Sequence, residues 1–416
     1  MRASPTLPLA APSGMEDHLP AATRRRTSLS GRLLALFESY GYERVITPAF
    51  EYAEVLERGL EIDRRDVLRF VEPETGEVAL LRPDITPQIA RIVATRLRDR
   101  PAPWRLCYQG TVVRQRVRTG RARTARQRTQ VGVEHIGTPT QDADAEVLEL
   151  AIGACRTAGL RDFRIELGHV RIGRTALASL PDALRMNAAD ALARKDVKAL
   201  EDILARGDTS RADRTLLLTL ADLYGDADVL KTARTKLTDA TSRVALDEIE
   251  SLRDAMGAAG TVLGVDLGEL RGHAYYTGVS FSILAEGPGE PIGGGGRYDG
   301  LLSRFGVDVP ATGFGLDLDH LFWALTQANT PWQVERPLRL VVVGAPELTR
   351  AWRARGVQVA GLGQGSDERA LAFAQAWGYD GAFTGAGLWR VHDGKRRNDA
   401  AEAEPAELEA WLRSEE

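Results

Sequence analysis

The chain has 416 residues, 44% hydrophobic and 27% charged, which gives room for two or three globular domains. Its net charge of -4 provides no overall attraction to polyanions, so phosphate or nucleic-acid binding requires a local basic patch. Residues 7–11 are too short and too proline-broken for a signal peptide core, and no apolar run approaches the roughly 20 residues of a membrane span. This predicts a cytoplasmic protein, and the only two cysteines, Cys107 and Cys155, each in an apolar context, predict buried thiols in a reducing compartment.

In chain order, Leu29, Leu33, Leu36 and Phe37 predict a helix over 22–40, ended by Gly41. A short strand at 44–48 and a second helix over 50–60 follow. At Leu81-Arg82-Pro83-Asp84-Ile85-Thr86-Pro87 a strand ends in a turn, with Thr86 placed to cap a helix opened by Pro87. The oxygens of Asp84 and Thr86 serve as caps or accept hydrogen bonds from a ligand's ammonium group, and both readings are open at this point.

Residues 104–113 and 129–136 alternate as strands. Between and beside them lie Arg114, Arg116, Arg118, Arg121, Arg123, Arg126 and Arg128, with no acidic neighbour in sequence. Such a run is either a solvated hairpin tip or faces an anion. On the second strand Gln130, Gly132 and Glu134 share one face, the glycine leaving space above the sheet for a bound amino acid. A helix capped near Thr140, a strand at 163–168, an all-helical insertion at about 172–260 and a strand at 262–267 come next.

Residues 270–321 have the texture of a pocket wall: adjacent phenols Tyr275 and Tyr276, guanidiniums at Arg271 and Arg297, and glycines at 293–296, 300, 313 and 315. A linker over 328–337 separates a core of 1–327 from a small α/β domain at 338–416. The six histidines lack ligand spacing, and no Ser/His/Asp arrangement or Walker-type loop is present, so neither a metal nor a cofactor is expected.

The segments 14–20, 40–60, 81–91, 130–134, 271–278, 294–300 and 310–321 together resemble histidyl-tRNA synthetase over about the first 325 residues. The resemblance implies an α+β class II aminoacyl-tRNA synthetase-like fold, an antiparallel sheet flanked by helices, with the last domain similar to a shortened anticodon-binding domain. It also implies a histidine pocket: Asp84, Thr86, Gln130 and Glu134 toward the ammonium, Tyr275 and Tyr276 toward the imidazole, Arg121 and Arg271 toward the carboxylate.

Two positions depart from the synthetase pattern. Arg114-Gln115-Arg116 lacks the acidic residue of motif two, and Asp317-Leu318-Asp319-His320-Leu321 replaces the motif three arginine that neutralises ATP. The chain therefore looks like the non-catalytic branch of the family. That branch implies a regulatory subunit of ATP phosphoribosyltransferase, carrying feedback by histidine and partnered by the short-form catalytic subunit. It implies a homodimer within a larger hetero-oligomer, with no nucleic acid. The alternative is an active histidine-tRNA ligase.

Overall fold

The apolar stripe Leu29, Leu33 and Phe37 is fully buried on one face of the helix Pro20–Ser39 (α1). The computed structural model describes residues 11–60, 67–114, 126–178, 180–207, 209–269, 275–330 and 336–414. It divides into two compact units, Met1–Trp332 and Gln333–Glu416.

After α1 come β1 (Glu43–Val45), β2 (Phe50–Tyr52), α2 (Ala53–Gly59), β3 (Arg69–Val71), β4 (Val78–Leu81) and α3 (Thr86–Ile92). The expected helix over 50–60 is corrected at its start. Phe50, Glu51 and Tyr52 alternate exposed, buried, exposed and pair with β4, because their period of two matches a sheet edge. Only Ala53–Gly59 is helical.

The hairpin β5 (Trp104–Val113) and β6 (Gln127–Ile136) leads to α4 (Gln141–Ala158) and β7 (Arg164–His169). Then follow α5 (Val170–Leu177), α6 (Asp182–Ala193), α7 (Val197–Ala205), α8 (Arg211–Asp222), β8 (Tyr224–Gly225), α9 (Asp228–Lys236) and α10 (Ala240–Ala255). The insertion is not purely helical: Tyr224–Gly225 pairs with the next strand, and two residues are too few to show as alternation. The unit closes with β9 (Leu263–Asp266), β10 (Val279–Leu284), β11 (Gly293–Arg297), β12 (Ala311–Asp317) and α11 (Leu318–Gln327).

Nine of these strands form one sheet, ordered β1-β5-β6-β12-β11-β10-β7-β9-β8. The run from β5 to β7 is antiparallel throughout, while β1 and β9 join its sides in parallel. Register gives the sheet two different faces. Val131, Val133, Phe314, Phe281, Ile165 and Leu167 point to one and pack with α1 and α4, as the edge-on contact of Phe37 with Phe314 shows. The other face carries Tyr108, Gln130, Gly132, Glu134, Gly313, Gly315, Gly294, Gly296, Ser280 and Ser282, and is paved largely with glycine.

The second unit has β13 (Arg339–Val343) at the centre, parallel to β14 (Gln358–Leu362) and β15 (Gly381–Thr384), with β16 (Gly387–Arg390) and β17 (Arg396–Arg397) continuing the sheet. Leu340 and Val342 pack with Trp352 of α12 (Pro346–Ala354) and with Leu408 and Leu412 of a C-terminal helix, Pro405–Arg413. Val341 and Val343 meet Ala370 and Ala374 of the helix Asp367–Ala376 on the opposite side. Among the described residues no helix is long and apolar enough to cross a membrane.

Candidate functional site

On the glycine-paved face, Asp84, Thr86 of α3 and Tyr275 meet the side chains of β6. A side chain at Gly132 would put its Cβ 2.7 Å from the Tyr108 hydroxyl, and one at Gly313 would strike the Glu134 carboxylate. Small residues here keep the floor low enough for the acidic and phenolic side chains to meet over it.

Those side chains fall into two hydrogen-bonded groups. In the first, Asp84 accepts from the Gln130 amide at 3.1 Å and from the Tyr275 phenol at 3.3 Å. In the second, Glu134 accepts from Thr86 at 2.6 Å and from Tyr298, with the fully buried Tyr108 phenol alongside. The rings of Tyr275, Tyr276 and Tyr298 pack edge-on around them, with centroids 5.0 Å and 5.3 Å from Tyr275. The expected cap at Thr86 is corrected, because its hydroxyl donates to Glu134. Ile85 holds the N-cap position, and Asp84 accepts from its N–H.

Burial dominates the electrostatics. Asp84 is 1% and Glu134 2% exposed, and no cation touches Glu134 among the described residues. Loss of hydration pushes the Glu134 carboxyl up to about 8, with the Asp84 charge adding to it and the Thr86 and Tyr298 hydrogen bonds opposing it. The phenols of Tyr108, Tyr275, Tyr276 and Tyr298 are raised as well, again by burial first, so they stay neutral donors. Within this described group of side chains, the amide oxygen of Gln130 is buried without a hydrogen bond. An acceptor left in that state asks for a donor from a ligand.

Six of the eight expected site residues are thus brought together: Asp84, Thr86, Gln130, Glu134, Tyr275 and Tyr276. Arg121 and Arg271 lie outside the described residues. Tyr108 and Tyr298 belong to the same constellation and were not anticipated. Tyr298 stood in the Gly-Arg-Tyr-Asp-Gly run, and Tyr108 shares its strand face with Gly132, so each had a positional signal. Arg297, expected as a pocket guanidinium, turns away from it. It is buried against Asp144 at 2.8 Å and the Thr140 carbonyl at 3.0 Å, an anchor for the start of α4.

The far end of the floor differs in character. Asp317 caps α11, accepting from the N–H groups of Asp319 and His320, and its other oxygen accepts from Arg128 at 2.9 Å. Asp319 pairs with Arg26 and accepts from the Thr129 N–H at 3.0 Å. His320 is buried with Nδ1 3.1 Å from the Pro291 carbonyl. Arg128 therefore finds acidic partners at long range, including Glu290 at 3.7 Å, that were absent from its sequence neighbourhood. Arg114 donates to the Pro83 carbonyl, whereas Gln115 and Arg116 lie outside the described residues. Cys107 and Cys155 are buried free thiols, and burial raises both. Among the described residues no group of His, Cys, Asp and Glu could hold a metal ion.

Residues 14–321 match the family model of histidyl-tRNA synthetase. A protein of Geobacter sulfurreducens called ATP phosphoribosyltransferase regulatory subunit is 40% identical over 77% of this chain and 75% of its own. One of the same name from Anaeromyxobacter dehalogenans is 42% identical over 83% and 99%. A crystal structure of an ATP phosphoribosyltransferase regulatory subunit/histidyl-tRNA synthetase from Bacillus halodurans superposes with a TM-score of 0.75 at 29% identity, covering 89% of this chain and 97% of the other. The chain belongs to the histidyl-tRNA synthetase family, in its ATP phosphoribosyltransferase regulatory subunit branch.

Proposed function

We propose that this chain is a non-catalytic subunit that supports the short-form catalytic ATP phosphoribosyltransferase in the first step of histidine biosynthesis. It conveys feedback by binding histidine on the glycine floor, and it works in the cytoplasm as a homodimer within a larger hetero-oligomer. The observation that carries this reading is the contrast between the two ends of one sheet face. One end keeps a buried set of carboxyls and phenols, while the other has His320, flanked by the ion-paired Asp317 and Asp319, where a synthetase needs a cation for ATP.

Within the pocket the ammonium of histidine goes to Asp84 and to the unsatisfied amide oxygen of Gln130. The imidazole, which offers one donor and one acceptor when neutral, goes to the tyrosines and to Glu134, which is reassigned from the ammonium because burial keeps its carboxyl protonated to about pH 8. A carboxyl whose proton leaves only near pH 8 can donate to one ring nitrogen or accept from the other. Thr86 holds the Glu134 carboxylate in place, and Arg121 and Arg271 are assigned to the ligand's carboxylate. The aromatic face formed by Phe50, Tyr52 and Phe70, each more than a third exposed, supports association with a second chain.

The test is a reconstituted phosphoribosyltransferase assay with the short-form catalytic subunit, with and without this chain, and with histidine titrated in. Activity that depends on the chain and falls with histidine is expected. Histidine-dependent exchange of pyrophosphate into ATP by the chain alone would instead establish a ligase and sink the proposal.

A further inference from the structure

Lys195 ties the helical insertion to the end of β9. Lys195 lies just past the end of α6 and has φ +57°, a left-handed backbone that glycine or asparagine ordinarily supplies at that place. A lysine kept there at a backbone cost points to a use for its ammonium. That group sits 2.5 Å from the buried carboxylate of Asp266 and 5.3 Å from the ring centre of Tyr224.

Asp266 is the last residue of β9, just before Gly268 and Glu269. The oxygen that takes Lys195 also accepts from the Gly268 N–H at 2.9 Å. Leu267 donates to the Leu223 carbonyl, and Tyr224 pairs with Asp266 in the sheet. Gly268 is so closely held that an added Cβ would come within 2.7 Å of the Leu220 carbonyl and 3.0 Å of the Lys195 ammonium. Three parts of the insertion, the turn after α6, the end of α8 and β8, thus grip residues 265–268. The chain then passes over Gly168, and a cavity of about 20 Å³ is lined by Glu166, Glu269, Ser280, Ser282 and Tyr276. The carboxylates around this grip are Asp266, Glu166 and Glu269. Lys195 on the insertion and Arg164, 3.7 Å from Glu166, oppose them.

We propose that Lys195 is a positioning residue that couples the occupancy of the tyrosine pocket to the helical insertion. A ligand that draws on Tyr276 restrains Glu269 across the cavity the two share, and the Lys195–Asp266 pair passes that restraint to α6, α7 and α8. The insertion is then the part of the molecule that reports histidine to its surroundings. This rests on the histidine reading of the pocket given above.

The experiment is hydrogen exchange on the full chain, free and with saturating L-histidine, alongside calorimetry of histidine binding. Wild type and Lys195→Arg should show peptides of 182–222 exchanging at least threefold more slowly with histidine. Lys195→Gly suits the left-handed backbone and removes the ammonium; it should still bind histidine but confine the slowing to peptides around 84–90 and 275–300. A merely structural lysine predicts the opposite, an unchanged insertion response in Lys195→Gly, and that result overturns the proposal. So does a wild type that binds histidine with no change in the insertion. Absence of histidine heat in wild type would refute the pocket reading itself, and with it the coupling. If Lys195→Gly does not fold, Asp266→Asn, which keeps an acceptor for Gly268, provides the same comparison.

Discussion

Glu134→Gln isolates the most perturbed group of the pocket. The carboxyl is fully buried, and its proton is held up to about 8 from an ordinary 4.5. Below pH 4.5 it is protonated in the folded and unfolded chain alike and contributes no pH dependence. As pH rises, the unfolded chain gives up this proton first, so stability falls between about pH 5 and 8 and levels off above. At about 1.4 kcal/mol for each pH unit separating the two values, the ceiling is about 5 kcal/mol; relaxation around a bare carboxylate should leave about 2–3 kcal/mol. Glutamine fills the same volume and does not titrate. Urea unfolding of the larger unit without histidine, at pH 5 and pH 8, should show the wild-type midpoint falling by about 1 M relative to the variant. Parallel pH profiles, or a wild type gaining on the variant toward pH 8, would refute the claim that burial governs this carboxyl.

Three further outcomes test other parts of the site. Tyr275→Phe removes the phenol that donates to Asp84, and calorimetry should find histidine binding weakened by about five- to tenfold, the equivalent of one hydrogen bond of about 1 kcal/mol. Gly132→Ala places a methyl group 2.7 Å from the Tyr108 hydroxyl, so histidine binding should vanish and the melting temperature drop; an alanine variant that binds normally would show that the floor has room. Asp319→Ala deprives Arg26 and the Thr129 N–H of their acceptor, with an expected cost of about 1–3 kcal/mol in thermal unfolding and no gain of ATP-pyrophosphate exchange.

The pocket was legible where chemistry and periodicity coincide. Gln130-Val131-Gly132-Val133-Glu134 alternates strictly, so one face could be read as polar around a gap, and the register with β12 puts Gly313 and Gly315 beside that gap. Asp84 and Thr86 stood out as oxygens at a turn. Their division of labour did not, because whether Thr86 caps its helix or serves Glu134 depends on a strand 48 residues away. The helix expected over 50–60 failed for a related reason: pairing with β4 overrode the local preference of a three-residue strand. Long-range charge was the least legible feature. The arginine run has no acid within its own stretch, yet Arg128 meets Asp317 from 189 residues further on.

That last pairing bears on the charge of the proposed histidine site. Asp317 stands opposite Gln130 in the register of β12 and β6, so the ion-paired end and the end proposed to bind histidine are neighbours on the same two strands. A carboxylate there adds to the negative charge of Asp84 and does nothing to attract a triphosphate. It also holds Arg128 with its charge satisfied. His320, not Asp317, stands at the position of the motif three arginine, so the charge at Asp317 is a separate feature of the same end of the sheet. Asp317→Asn, which retains the helix cap, should weaken histidine binding by a factor of about two to five at low ionic strength, with the difference shrinking as salt is added. A salt-independent difference, or none, would mean that the two ends of the floor are electrostatically independent.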